Sequence, residues 1–341
     1  MPSVYLNGHE TDARLANGKM EVSRPDEEKD DVVTRRIPFF DIERVVVQGR
    51  AGVTVPLIHK LIREKIPVAF LTGGGRWLGS IEPNCNGHAL RRMRQYDLAR
   101  DKSFALDMAR AAVCAKIRNS RRVLQRMAAN RKAANDPEQR DACNSLLSLT
   151  QRAQEAEDLE KLRGCEGYAA NLYFERLRAF FPEDTPFVER SRRPPRDAAN
   201  ALLSWTYTIV LGEVDGAVRA AGLDSCLGFL HQISYGRPSL SLDLLEPLRG
   251  PLCDMLVLRL LNHRLIRADE HFEYNAEDGG TYLSKEGRKV FFVEYERSMM
   301  RRFAAAKGEP HTDFRRVIRD QVHSLLHAMD RNSPLELFAM P

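Results

Sequence analysis

Glu166 lies in GCEGYAANLYF, where residue spacing predicts an α-helix with Glu166, Ala170, Tyr173 and Leu177 on one face. The small residues Gly167, Ala169 and Ala170 predict close approach by another backbone. A carboxylate in an apolar stripe is costly to bury unless something positive neutralises it, and a metal ion is one such group. Asp243 and Glu246, in SLSLDLLEPLR, are spaced i, i+3 and share one side of a helix. Pro247 puts the pair in or near a first turn, or at a kink, and Ser239 and Ser241 could cap that start. His231 precedes the turn SYGRP and follows GLDSCLGFL, a stretch read as part of a helix over 223–234. Taken singly, each residue has an ordinary structural reading. A histidine is more often core or surface than ligand, and carboxylates near a helix start complement its dipole.

The elements that must position these residues fall into two regions. Residues 1–86 read as a β-rich domain with one helix, 54–64, among VYLNG, KMEVSR, VVTRRIPFF, IERVVVQG, IPVAFLT and RWLGSIE. TGGGR (72–76) lacks the GxxxxGK[ST] spacing and is followed by a strand, so it reads as a hairpin turn and not a phosphate loop. Composition changes at EPNCNGHALRR (82–92), and residues 87–341 read as a larger helical domain. Its expected helices are 89–133, 138–162, 164–181, 196–221, 223–234, 243–267 and 311–330. Residues 269–293, with Gly279-Gly280 between aromatic runs, read as a hairpin or flap, and the tail after Asn332 as loose. The fold class is α+β.

Apolar content of 43% with 29% charged residues is ordinary for a globular protein. No run approaches ~18 apolar residues and the N-terminus lacks a signal pattern, so the expectation is a cytoplasmic protein with no membrane contact. Six scattered cysteines without CxxC spacing argue against a structural zinc or iron–sulfur site. The net charge of +5 is unevenly placed: residues 91–132 carry 13 Lys/Arg against three Asp, leaving −5 for the rest. A surplus of that size predicts a polyanion contact, nucleic acid first, with Arg118, Arg121, Arg122 and Arg126 as candidate phosphate contacts.

Jointly these residues carry a resemblance. LRGCEGYAANLYF, RPPRDAANALLSWTY, GLDSCLGFLHQISYGRPSLSLDLLEPLR and GGTYLSKEGRKVFFVEYE resemble, in order, the signature blocks of the CRISPR-associated protein 1 family, the integrase of spacer acquisition. IPFFDIERVVVQGRAGVTVPLIHKLIREKIPVAFLTGGGRWLGSI looks like that family's β-domain. The resemblance implies that Glu166, His231 and Glu246 are the catalytic ligands of one Mg²⁺ or Mn²⁺, with Asp243 as an accessory carboxylate. It puts Arg237 near the DNA end and makes Tyr173 and Asn200 motif positions. It further implies a homodimer paired through the N-terminal domain, double-stranded DNA as protospacer and leader–repeat target, and a heterohexamer with CRISPR-associated protein 2. Proline at 247 and at 251 departs from the family pattern and leaves open how Glu246 is presented. Competing readings are a metal nuclease acting on branched DNA or RNA outside adaptation, and a non-catalytic DNA-binding scaffold.

Overall fold

The computed structural model describes residues 3–8, 10–25, 31–73, 77–81, 88–131, 136–304, 311–331 and 333–341. The chain divides into two compact units, Met1–Ala89 and Leu90–Pro341.

Among the described residues, the first unit holds eight strands, one α-helix and a 3-10 turn at Phe39–Asp41: β1 (Ser3–Asn7), β2 (Asp12–Ala16), β3 (Lys19–Pro25), β4 (Val32–Ile37), β5 (Arg44–Gln48), β6 (Gly52–Val53), α1 (Val55–Arg63), β7 (Val68–Leu71) and β8 (Trp77–Ile81). They form two four-stranded sheets, ordered β1-β5-β7-β8 and β4-β3-β2-β6. In the first, β1, β5 and β7 run parallel and β8 closes antiparallel; in the second, β6 pairs parallel to β2. Leu57 and Leu61, four apart on α1, are buried in the apolar cluster with Leu6, Met20, Val45 and Val47. The antiparallel β7–β8 pairing fits the hairpin expected at TGGGR, although residues 74–76 lie outside the described residues. Two strands went unread in the sequence. DARLA (β2) interleaves charge with small apolar residues, and β6 is only two residues long. The expected linker core, 82–87, also lies outside the described residues.

The second unit comprises α2 (Ala89–Arg100), α3 (Lys102–Asn130), α4 (Pro137–Gln154), α5 (Leu159–Leu177), α6 (Ala198–Ala220), α7 (Ser239–Leu245), α8 (Met255–Asn262), the hairpin β9 (Phe272–Asn275) and β10 (Gly280–Leu283), α9 (Lys285–Met300), the short pair β11 (Phe303–Ala304) and β12 (His311–Thr312), and α10 (Phe314–Arg331). The expected helix 89–133 is two helices. Asp101 caps the second, its carboxylate accepting the Ser103 and Phe104 N–H groups. α3 is the central element, packed against α4, α5, α7 and the 246–254 segment.

Four further expectations are corrected here. Residues 223–234 are not helical: the backbone N–H groups of 229–231 leave the chain direction to bind the Asp243 carboxylate. The flap reading of 269–293 holds only to Leu283; Ser284 then caps α9 through the Gly287 N–H. The tail after Asn332 is not loose, since Phe338 is buried against Phe303 and Phe314. The expected helix 243–267 is interrupted as well. Glu246–Leu248 is a 3-10 turn and Arg249–Asp254 a π turn. Pro247 cannot return an N–H to the Asp243 carbonyl, nor Pro251 to that of Pro247, so the helix changes hydrogen-bond register twice within nine residues.

Candidate active site

Asp158 caps α5 through the Lys161 N–H, and two turns later the helix presents Glu166 to a cavity of about 810 Å³ within the second unit. Ala169, Ala170, Tyr173 and Phe174 line the same wall; Ala170 and Tyr173 belong to the expected stripe, whereas Leu177 is buried in the core and does not reach the cavity. Gly167 does not serve a close approach: it is exposed, and a Cβ there would meet nothing within 4 Å.

Glu246 enters the cavity from the 3-10 turn with its side chain only 2% exposed. The register change at Pro247 turns Glu246 toward α3. There Lys116 bridges the two carboxylates, its Nζ 2.5 Å from Glu166 Oε1 and 2.7 Å from Glu246 Oε2. Arg249 approaches the other Glu246 oxygen, with Nε 3.0 Å from Oε1, and its guanidinium lies over the Tyr207 ring at 4.7 Å. Burial alone would raise the Glu246 pKa, but Arg249 and Lys116 outweigh it and hold the group below the usual carboxylate range. Lys116 is likewise opposed by burial yet raised by Glu246 and Glu166, so it stays charged.

His231 and Asp243 form a second couple. Asp243 Oδ1 lies 2.6 Å from His231 Nδ1 and accepts the His231 N–H at 3.0 Å; Oδ2 accepts the Phe229 and Leu230 N–H groups at 2.6 and 3.0 Å. A carboxylate offers about four lone-pair positions and these four donors fill them. Asp243, expected as an accessory ligand, therefore has no oxygen to spare for the cavity and acts by holding His231. Gly228 is required for this arrangement, because a Cβ there would sit 2.7 Å from the Ser239 carbonyl carbon and 2.8 Å from Asp243 Oδ2. Since a carboxylate only accepts, Nδ1 carries a hydrogen, and Nε2 faces Glu246 Oε1 at 3.8 Å.

Two ligand atoms 3.8 Å apart fit on one ion with bonds of ~2.1 Å. Glu246 Oε2 is buried without a hydrogen bond, Lys116 meeting it only as an ion pair. The donor set of two carboxylates and an imidazole whose other nitrogen is tied to a carboxylate suits Mg²⁺ or Mn²⁺. Among the described residues, no three His, Cys, Asp or Glu side chains stand grouped at metal-binding distances, because Lys116 occupies the point on which Glu166 and Glu246 converge.

Deeper in the cavity, Asp254 accepts the Tyr173 hydroxyl at 2.8 Å and the Tyr207 hydroxyl at 2.5 Å. Burial pushes its pKa up to about 6 despite these bonds. Tyr173 thus touches the site through Asp254. Asn200 does not reach it, since it fastens the 189–191 loop by contacts to Arg190, Ser191 and Glu189. Arg237 lines the cavity rim together with Arg192 and Arg193.

The arginine run of α3 is not brought to the cavity. None of Arg118, Arg121, Arg122 and Arg126 lines it: Arg121 donates to the Cys143 carbonyl and Arg122 to that of Pro341, while Arg118 and Arg126 are exposed. Several cations of the basic segment tie down carbonyls elsewhere, as with Arg91 on Ala221, Arg94 on Met329 and Arg131 on Ala179 and Phe180. Lys116, Arg249 and Asp254 are the residues sequence reasoning missed. Lys116 is 50 and 130 positions from its partners in a run of like charges, and nothing local marks it.

Comparison with known proteins identifies the family. The family model described as "CRISPR associated protein Cas1" matches residues 4–297. The chain is 32% identical over 338 residues to "CRISPR-associated endonuclease Cas1 3" of Thermus thermophilus, covering 99% of this chain and 97% of the relative. Among solved structures, a "Casposase bound to integration product" superposes with a TM-score of 0.86 at 22% identity, over 100% of this chain and 94% of that one. A "Cas6-RT-Cas1--Cas2 complex" does so at 0.77 and 26% identity, over 100% of this chain and 36% of the other. The two-sheet unit and helical unit define an α+β protein of the casposase and Cas1 fold. The chain belongs to the CRISPR-associated protein Cas1 family.

Proposed function

We propose that the protein is a divalent-metal-dependent DNA integrase and endonuclease of CRISPR adaptation, joining a 3′-hydroxyl DNA end to a phosphodiester at the leader–repeat. The observation that carries this is the convergence of Glu166 and Glu246 on a single positive charge, with Nε2 of His231 beside them. Glu166, His231 and Glu246 would hold the ion. When bound, Mg²⁺ or Mn²⁺ supplies Lewis-acid polarisation of a phosphate oxygen and makes a hydroxyl a better nucleophile. The chain's own groups set the stage. Asp243 binds Nδ1 and so orients the ring with Nε2 toward Glu246. Arg249, its guanidinium over the Tyr207 ring, pins one Glu246 oxygen. Arg192, Arg193 and Arg237 at the rim compensate incoming phosphate charge without reading sequence. Water in place of the 3′-hydroxyl gives cleavage from the same site.

The names of the similar proteins support DNA as substrate and Cas2 as partner. Pairing of two chains through the N-terminal unit, and a heterohexamer, belong to the same proposal. No helix of the described residues is long and apolar enough to cross a membrane. The test is transfer of a labelled 3′-hydroxyl DNA end into a leader–repeat duplex, with Mg²⁺, Mn²⁺ or chelator. Joined product is expected with either ion and none with chelator, while DNA binding persists. Equal turnover of RNA, or of branched DNA without joining, would favour a general nuclease.

A further inference from the structure

In a regular helix the Pro247 carbonyl would receive the N–H of residue 251, but that residue is proline. The buried carbonyl instead receives Asn119 Nδ2 at 2.7 Å. Asn119, on α3, is 2% exposed, and its remaining valences go to the C-terminal segment: Nδ2 also donates to the Phe338 carbonyl at 2.8 Å, and Oδ1 accepts the Met340 N–H at 2.8 Å. Gln321 on α10, equally buried, repeats the pattern on the other side of Glu246. Its Nε2 donates to the Leu244 carbonyl at 3.2 Å and its Oε1 accepts the Phe338 N–H at 3.1 Å. Two buried amides therefore connect one extended segment to the two carbonyls that flank Glu246. Phe338 anchors that segment in an aromatic cluster with Phe303 and Phe314, and the Glu336 N–H is held by Ser324 Oγ at 2.8 Å.

We propose that Leu335–Pro341 is a positioning strap for the catalytic turn: while docked, it orients Asn119 and Gln321 as donors to the turn carrying Glu246, and so sets the site's affinity for a divalent cation. The physical basis is substitution. Pro251 removes the helical donor to the Pro247 carbonyl and Asn119 replaces it, while Gln321 supplies a side-chain donor to the Leu244 carbonyl just before the 3-10 turn. An amide rotates freely unless its oxygen is also held, and the strap supplies the N–H groups that hold both oxygens. With the strap absent, Asn119 and Gln321 lose these partners and can turn away, and the turn loses its fixed register. The cation part rests on the metal-site reading above; the mechanical coupling does not.

The test compares the full chain with a variant lacking Leu335–Pro341 and with Asn119→Asp, which keeps the shape and removes the donor. Two readouts are taken. One is hydrogen exchange at Glu246, Leu248, Arg249 and Gly250 in chelator; the other is calorimetric titration with Mn²⁺ alone. Both variants should exchange at these amides roughly tenfold faster or more, with the rest of α3 and α6 unchanged. Mn²⁺ binding should weaken by about 10–100-fold, the usual consequence of losing a group that orients a ligand. A synthetic LELFAMP peptide should restore both properties to the truncated chain and neither to Asn119→Asp. Unchanged local exchange overturns the strap. So does a rise spread evenly over the second unit, or a local rise with Mn²⁺ affinity intact. Should the full chain itself bind no Mn²⁺, the metal-site reading falls, and the exchange data still decide whether the strap holds the turn.

Discussion

The two faces of α3 carry charge in opposite ways. On one face a single lysine, Lys116, is 18% exposed and bridges Glu166 and Glu246. Arg118, about 200° around the helix, and Arg126, ten residues beyond Lys116, extend into solvent with no ion pair or hydrogen bond among the described residues. Arg121 and Arg122 beside them bind backbone carbonyls. The sequence weighs all five alike, as one basic run. The fold separates a cation that organises chemistry from cations that can only contribute a diffuse field. Burial decides which is which, because a charge pair strengthens as water is withdrawn and a solvated charge is screened within about 10 Å at 0.1 M salt.

Substituting each face tests this contrast, and opposite signatures are expected. Lys116→Met leaves two carboxylates facing each other, one of them buried. Without divalent ions it should lower stability by about 3–5 kcal/mol, the usual cost of breaking a buried pair. Mn²⁺ should recover much of that loss, since the ion takes the lysine's place between Glu166 and Glu246. Urea unfolding with and without Mn²⁺ reads this directly; an unaltered midpoint would mean the bridge is dispensable. Arg118→Glu with Arg126→Glu should leave stability within ~0.5 kcal/mol, as surface changes do. DNA affinity should fall, and its logarithmic salt dependence should flatten by about 0.9 for each phosphate no longer neutralised. An unchanged slope would return that face to plain solvation.

A smaller effect separates the cavity floor from its mouth. Asp254 titrates at about 6 in the folded protein against 3.8 when free. The folded state therefore holds this proton more tightly, and the stability it brings is complete below pH ~3.8 and lost as pH rises through about 6. Some 3 kcal/mol is at stake at ~1.36 kcal/mol per pKa unit, so removing the group should remove that slope. Asp254→Asn should flatten the decline in unfolding free energy between pH 4 and 6.5. The wild-type decline persisting in the variant would assign it elsewhere. Glu246 contributes with the opposite sign, its depressed pKa giving stability present above the ordinary carboxylate range and lost on strong acidification.

Much of this site was legible because its residues sit in local patterns. Glu166 stands on a helix with a readable apolar stripe, and His231, Asp243 and Glu246 fall within sixteen residues of one another. What escaped was set by distance or by exceptions to helical bonding. The helix expected at 223–234 followed apolar spacing that is real, but its N–H groups find a carboxylate twelve to fourteen residues away. The capped start of α9 was hidden by the preceding Gly279-Gly280 hairpin. The LELFAMP segment looks like loose tail because its partners, Asn119 and Gln321, lie on separate helices. Pro247 signalled a break without disclosing its geometry. Only Pro251, four residues on, turns the break into two changes of register that swing Glu246 toward Lys116.

The central claim is that Glu166, His231 and Glu246 form one divalent-cation site that drives DNA strand transfer. Glu166→Gln tests it most directly, because the change keeps the side chain's size and deletes its charge. Measured together, Mn²⁺ affinity and strand-transfer rate should both collapse, the rate by at least about 10²-fold, with duplex DNA affinity unaltered. Strand transfer at the wild-type rate with either ion, or loss of rate explained wholly by lost DNA binding, would contradict the account.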